Sequence, residues 1–405
     1  MTRRPITLML LGASVLLVAP AAAGAGTKKS PIAVEPNSSY PAVSGDHLVA
    51  GAVANGRYVV SRVALKDGAR TTVALGTDAL RAPGGVSEAD LPYNQFLATR
   101  FAWSPEVAIV QGVWKAVPAG GFDPSSGFGM ASSPTATQAY FSVRTGELLR
   151  QEDVTRPAQL GFLVPSNAPV VAEVDGNRRP TGEFRDLLSQ ARLPLSLPST
   201  DYVFGGPLVR FYADTRDSRW KRDASGAVVG GYGDLQAVRW ADGRRAWTIN
   251  TETVARRAGL PQRRSAVEVP LTDDGAAVVR VVDPKGRGLR PVASSSGGRL
   301  YGVGSRVRGA TAVRASIAGR RVLVSIDGSR KVGRRTLSCH GTWLTDTRGR
   351  RGRTLRIPRT ATLIGWDGKR AVWSTWSAGR TRATIIVQTN AARLRLGPRA
   401  LPRCG

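Results

Sequence analysis

Histidine, cysteine and acidic side chains are scarce in this chain, and the first two scarcities close off familiar chemistries. Only two histidines occur in 405 residues. His47 and His340 each stand alone, with no second His at ligand spacing, so no zinc site is built on His; one built on carboxylates stays open. A G-x-S-x-G elbow is missing, which argues against the nucleophile of an α/β-hydrolase. No phosphate-binding loop and no dinucleotide fingerprint occur, and no cofactor is expected. One S-x-x-K match, Ser218 to Lys221, lacks both partner motifs of the penicillin-binding enzymes and reads as chance. Asp214, Asp217 and Asp223 lie close together without EF-hand spacing and read as a solvated loop. The sequence therefore singles out no catalytic, cofactor-binding or metal-binding residue. Beyond the N-terminal region no run is apolar for long enough to cross a bilayer.

The N-terminal region itself has the three-part pattern of a secretory signal peptide. Met1-Thr2-Arg3-Arg4 is a short basic start. An apolar run follows from Ile6 to Val18, and small residues from Ala21 to Gly26 supply an A-x-A cleavage pattern. Residues 1–25 are expected to be removed, although the run is nearly long enough to remain as an anchor helix. Arg3-Arg4 hints at twin-Arg export, but the residues after it do not continue that motif. The mature chain is expected to be secreted or held in the cell envelope, as a monomer without a transmembrane segment. In that setting Cys339 and Cys404, the whole cysteine supply, suggest a disulfide. It would close a loop of about 65 residues and stabilise the fold by roughly 4 kcal/mol. The other reading is two free thiols, with His340 beside Cys339 able to tune a thiolate.

Charge is the most unusual bulk property: 58 basic against 29 acidic residues, a net charge of +29. Arg dominates, since there are only eight Lys, and the excess is lopsided. From Tyr301 to the end 21 Arg and two Lys face three acids, Asp327, Asp346 and Asp367. Such a surface attracts polyanions at long range. Arg348, Arg350, Arg351, Arg353, Arg356 and Arg359 form the densest run. Their guanidinium forks suit carboxylate or phosphate groups. The plainer reading of the run is a solvated turn between strands. It lacks the interleaved aromatics of a single-strand nucleic-acid platform, so no specific nucleic-acid motif is present.

Gly (46) and Pro (25) are spread along the chain, which suits short strands and tight turns better than helices. Residues 26–42 read as a polar lead. Three β-rich runs follow, 47–53, 57–65 and 71–75, separated by Asn55-Gly56 and Lys66-Asp67-Gly68, and they predict a meander with tight hairpin turns. A second unit holds 95–103 and 107–114. After a Gly/Ser/Pro loop, residues 139–143 and 147–149 flank a turn at Arg144-Thr145-Gly146. One stretch differs. Phe184, Leu187, Leu188 and Ala191 fall at i, i+3, i+4 and i+7, which predicts a helical insertion near 181–193 with Thr181 as N-cap and Pro194 as its stop.

Beyond residue 200 a pattern recurs. Trp240-Ala241-Asp242-Gly243-Arg244-Arg245-Ala246-Trp247 is echoed by Trp366-Asp367-Gly368-Lys369-Arg370-Ala371-Val372-Trp373. Looser echoes lie at 273–279, 325–328 and 54–60, at spacings that signal a repeat architecture. These D-G-[KR]-R-A…W turns, with the segment 272–277, resemble the degenerate blades of exported bacterial β-propellers of the TolB-like and WD40-like kind; the paired G-H…W-D signature of WD40 blades is absent. The resemblance covers most of 43–390, unevenly, and is weak from 156 to 199. It implies an all-β fold, a β-propeller of about seven four-stranded blades over 43–405. The alternative architecture is a β-sandwich plus a smaller β domain. In a propeller each sheet is covered on both faces, so runs such as Ala276 to Val279 and Ile385 to Val387 are apolar without alternation. Trp240, Trp247, Trp366 and Trp373 are expected to pack between blades.

Two functions follow as expectations. One is a non-enzymatic binding or scaffolding propeller that recognises a protein or an anionic envelope polymer. The other is a carbohydrate-active hydrolase or lyase whose carboxylates converge in the propeller channel from distant blades, where local motifs cannot reveal them.

Overall fold

The computed structural model describes residues 26–33, 42–54, 57–67, 69–76, 97–103, 107–114, 135–154, 170–174, 180–186, 189, 191–198, 202–213, 221–222, 228–230, 233–260, 266–332, 335–376, 382–398 and 401. The signal-peptide region, the Asp214–Asp223 acids, Ser218 and Cys404 lie outside them.

Turn chemistry sets the first sheet. His47–Ala54 and Arg57–Ala64 are antiparallel with Ala54 opposite Arg57, so only Asn55 and Gly56 join them. Arg70–Ala74 follows as the next strand, after a turn in which Asp67 Oδ1 accepts the Ala69 N–H at 2.8 Å. With Ala42–Ser44 these make a four-stranded antiparallel meander. A second meander holds Leu97–Trp103, Val107–Trp114, Thr135–Ser142 and Leu148–Val154. Another joins Tyr202–Gly205, Leu208–Tyr212, Asp234–Arg239 and Arg245–Asn250. Among the described residues five sheets have four strands or more, and five are arranged as the blades of a β-propeller.

The sheets differ in size: one seven-stranded sheet runs from Ala266–Glu268 to Gly352–Leu355. In it the short pair Ala266–Glu268 and Val279–Val282 is extended by Ala310–Ala318 and Arg321–Val332, so one sheet takes up far more chain than a regular blade.

Both faces of a blade are buried, and side chains alternate between the two neighbours. In the first sheet Leu48 and Ala50 pack with Ile364, Val372 and Ile385, whereas Val49 and Val60 pack with Ala108, Ala139 and Phe141 of the second sheet. Farther along, Leu235, Trp247 and Ile249 meet Val267, Val279 and Val313. Leu323, Leu344 and Leu355, on the other face of that seven-stranded sheet, meet Trp366, Trp373 and Ile386. This two-sided burial is why the strands lack strict alternation, and it places Trp247, Trp366 and Trp373 between sheets, each 3% exposed or less. Trp240 is half-buried and its indole N–H donates to the Gly206 carbonyl at 2.9 Å. The D-G turns behave as their sequence implies: Gly243 and Gly368 have φ of 67° and 84°, and Asp242 and Asp367 cap the backbone N–H groups that follow.

Three features depart from the sequence reading. The polar lead is structural. Thr27–Ala33 pairs along its whole length with Arg382–Gln388 and completes a sheet with Thr362–Trp366 and Ala371–Trp376. Among the described residues, the first and last strands thus share a sheet, which a sandwich followed by a separate domain would not do. The helical insertion near 181–193 is instead a hairpin, Pro180–Asp186 with Arg192–Ser196. Gly182 has φ 84°, outside the helical region, and Phe184 is fully buried edge-on to Phe204 of the next sheet at 5.6 Å. Burial against a neighbouring blade overrides the chance helical spacing. A real helix lies at Thr251–Ala258. Asn250 caps it by accepting the Thr253 N–H at 2.8 Å, and Gly259 ends it at φ 85°.

Candidate polyanion-binding site

Residues 347–351 form the turn between Gly341–Asp346 and Gly352–Leu355. Its shape is set by one carboxylate. Asp346 accepts the backbone N–H groups of Arg348 at 3.0 Å, Arg350 at 3.1 Å and Arg351 at 3.3 Å. Gly349, at φ 67°, lets the turn lie against Gly304, whose N–H donates to the Arg348 carbonyl at 3.1 Å. A Cβ on Gly349 would come within 2.5 Å of the Gly304 nitrogen, so the close approach requires glycine.

This arrangement has an electrostatic consequence. Asp346 hydrogen-bonds to backbone, so it orders the turn without pairing with a guanidinium. Among the described residues none of Arg348, Arg350, Arg351, Arg353 and Arg356 has an acidic partner in an ion pair, and all five are exposed. Other acids also cap turns: Asp186, Asp242 and Asp283 each accept a backbone N–H two or three residues on, and Asp242 and Asp283 pair with Arg239 and Arg287 as well. At 347–351 the capping acid has no guanidinium partner among the described residues, which leaves Arg348, Arg350 and Arg351 without a paired carboxylate.

The six Arg of the run do not form one patch. Arg351 lines a cleft of about 1100 Å³ with Arg320, Arg321, Lys369, Arg393 and Arg395. Two acids also line it. One is Asp346; the other is Asp367, whose Oδ atoms accept from the Lys369 N–H at 2.7 Å and the Arg370 guanidinium at 3.0 Å. Arg348 and Arg350 line a second cleft, of about 490 Å³, with Arg257, Arg290 and Tyr301. Arg353 stands on the strand opposite Leu344, and Arg356 follows it in the chain. Arg359 turns away: its Nε lies 3.5 Å from Asp327 Oδ1, which the His340 Nδ1 also approaches at 3.1 Å. His340 is therefore engaged with a carboxylate.

Most cationic lining residues escaped the sequence reading because they come from separate elements. Arg257 lies in the last turn of the helix, Arg320 sits at a hairpin turn, and Arg393 and Arg395 lie near the C-terminus. The basic excess after residue 300 was the only signal for Arg320, Arg321, Lys369, Arg393 and Arg395, and Arg257 and Arg290 had none. Cys339 is buried, and no described cysteine is free. Cys404 lies outside the described residues, so the bridge between the two remains a proposal. Among the described residues no group of three His, Cys, Asp or Glu could hold a metal ion, and no helix is long and apolar enough to cross a membrane.

These sheets define the protein as a β-propeller. No protein-family model and no curated protein matches the chain. Its similarity is to solved structures. An uncharacterised protein of Listeria monocytogenes EGD-e matches at 8% identity, covering 85% of this chain and 92% of that one, with a TM-score of 0.38. A prolyl endopeptidase matches at 12% identity and a TM-score of 0.37 over 92% of this chain; this chain spans 48% of its length. An oligogalacturonate lyase of Vibrio parahaemolyticus matches at 9% identity over 89% and 91% of the two chains, with a TM-score of 0.29. Peptidases, lyases and uncharacterised proteins all occur among these neighbours, and none transfers an activity to this chain.

Proposed function

We propose that this propeller is an exported, non-enzymatic binding module that docks an anionic polymer of the cell envelope at the clefts beside residues 347–351. The observation that carries the reading is the large cleft itself. Six cationic side chains line it, and both of its acids are occupied by turn backbone or by Arg370. A predominantly cationic surface, built mainly from guanidinium forks, suits repeated phosphate or carboxylate groups better than a protein face of balanced charge. Export rests on the N-terminal pattern and on the resemblance of the D-G-[KR]-R-A…W hairpins to blades of exported propellers.

The test is binding of the mature chain to long-chain inorganic polyphosphate across a salt series. Affinity is expected to fall steeply as salt rises, because each neutralised anionic group releases counterions. Arg393→Ala with Arg395→Ala should weaken binding and flatten that slope. Binding that ignores ionic strength, or no binding at low salt, would overturn the reading.

A further inference from the structure

The two clefts share one wall. Arg350 lines the smaller and Arg351 the larger, and the Cα atoms of consecutive residues are only about 3.8 Å apart. The clefts therefore adjoin across the turn. That wall is held by several hydrogen bonds. Besides the three N–H groups taken by Asp346, the Gly349 N–H donates to the Asp346 carbonyl at 3.0 Å and the Thr345 hydroxyl donates to the Arg351 carbonyl at 2.5 Å.

On both sides some guanidiniums are oriented by neutral carbonyls. In the larger cleft Arg321 donates to the carbonyls of Ala392 and Leu394 at 2.9 and 3.1 Å. In the smaller, Arg257 donates to the Leu300 carbonyl at 2.5 Å and Arg290 to the Gly302 carbonyl at 3.2 Å. A carbonyl fixes the fork without cancelling its charge, whereas a carboxylate would do both. Among the described residues no acid lines the smaller cleft. The result is a pair of ordered cationic hollows on either side of a rigid ridge.

We infer that the clefts are two halves of one track. A linear polyanion lies across the 347–351 ridge with anionic groups in both hollows, so the protein selects its ligand by chain length rather than by the identity of one anionic group. This rests on the proposed polyanion reading and adds to it a second subsite and a length requirement. A short anion occupies either hollow alone. A chain long enough to cross the ridge gains the second contact as an intramolecular step, which raises its affinity without any new type of interaction.

Calorimetry with two probes, tripolyphosphate and long-chain polyphosphate, separates the possibilities. Two double variants of exposed residues are used, Arg348→Ala/Arg350→Ala for the smaller cleft and Arg393→Ala/Arg395→Ala for the larger, with unchanged thermal unfolding confirming their fold. Tripolyphosphate is expected to bind weakly at two sites per chain, and each variant should remove one site while leaving the other's affinity alone. Long-chain polyphosphate is expected to bind wild type at least about 10-fold more tightly than either variant. If Arg348→Ala/Arg350→Ala leaves long-chain affinity intact while Arg393→Ala/Arg395→Ala abolishes it, the track is wrong and polyanion binding at the larger cleft stands. Equal per-site affinity for short and long probes also overturns the track. If neither probe binds wild type at low salt, the polyanion reading itself fails.

Discussion

Asp274 Oδ2 accepts the backbone N–H of Trp366 at 2.8 Å, joining residues 92 apart in sequence and belonging to different sheets. Asp274 sits in the 272–277 loop, where it also accepts from Thr272 and from the Ala276 N–H at 3.3 Å. The same loop closes on Gly205 and Gly206, in a third sheet. One acidic side chain thus helps hold together the 272–277 loop and the strand Thr362–Trp366 of the closing sheet.

Burial raises the Asp274 pKa above the ordinary carboxylate value, against the opposing hydrogen bonds from Thr272, Trp366 and Ala276. The folded protein then holds this proton to higher pH than the unfolded chain does. Asp274's contribution is largest below the unfolded pKa and declines as pH rises through the folded one. The wild-type unfolding free energy minus that of Asp274→Asn is expected to fall as pH is raised from the acid side toward neutrality. A difference that stays flat or grows across that range refutes the assignment.

Trp373 is 2% exposed and packs with Leu344, Leu355 and Ile386 at the seam between two sheets. Trp373→Ala removes a large apolar surface that its rigid neighbours cannot refill. A loss of about 3–5 kcal/mol in denaturant unfolding is expected. A loss below about 1 kcal/mol would show that the seam relaxes or is less tightly packed.

The strand Thr27–Ala33 covers the edge of Arg382–Gln388. Deleting residues 26–33 leaves that edge unpaired, and its Ile385, Ile386 and Val387 continue an apolar strand able to pair with another chain. The truncated protein is expected to unfold at lower temperature and to self-associate by light scattering. A monomer with unchanged Tm would mean that ring closure adds nothing.

Gly349→Ala introduces a Cβ where the Gly304 backbone lies and where φ is 67°. We expect a loss of about 1–3 kcal/mol, together with weaker long-chain polyphosphate binding, because the ridge loses its seat. Retained stability and retained binding together would show that the turn does not need this contact.

The proposed bridge between Cys339 and Cys404 can be tested by thiol titration of the unfolded, non-reduced protein. No titratable thiol is expected, and Cys404→Ser should lower stability by roughly 4 kcal/mol. Two reactive thiols in the wild type would disprove the bridge.

The sequence by itself determined the local grammar. Asn55-Gly56, Asp242-Gly243 and Asp367-Gly368 mark hairpins because turn type depends on a few adjacent residues, and runs such as Ile385 to Val387 announce strands covered on both faces. The helix at Thr251–Ala258 carries its own signals, Asn250 ahead of it and Gly259 behind, whereas the helical spacing at Phe184 is accidental. Tertiary structure decided the rest. Thr27–Ala33 reads as a polar lead because an edge strand tolerates Lys28, Lys29 and Pro31, and only its pairing with Arg382–Gln388 reveals its place. The clefts were equally hidden. Arg257, Arg320, Arg351 and Arg395 come from four separate parts of the chain, and their net effect depends on which acids are held by turns. A surface charge is a local property of sequence, but an uncompensated one is a property of the fold.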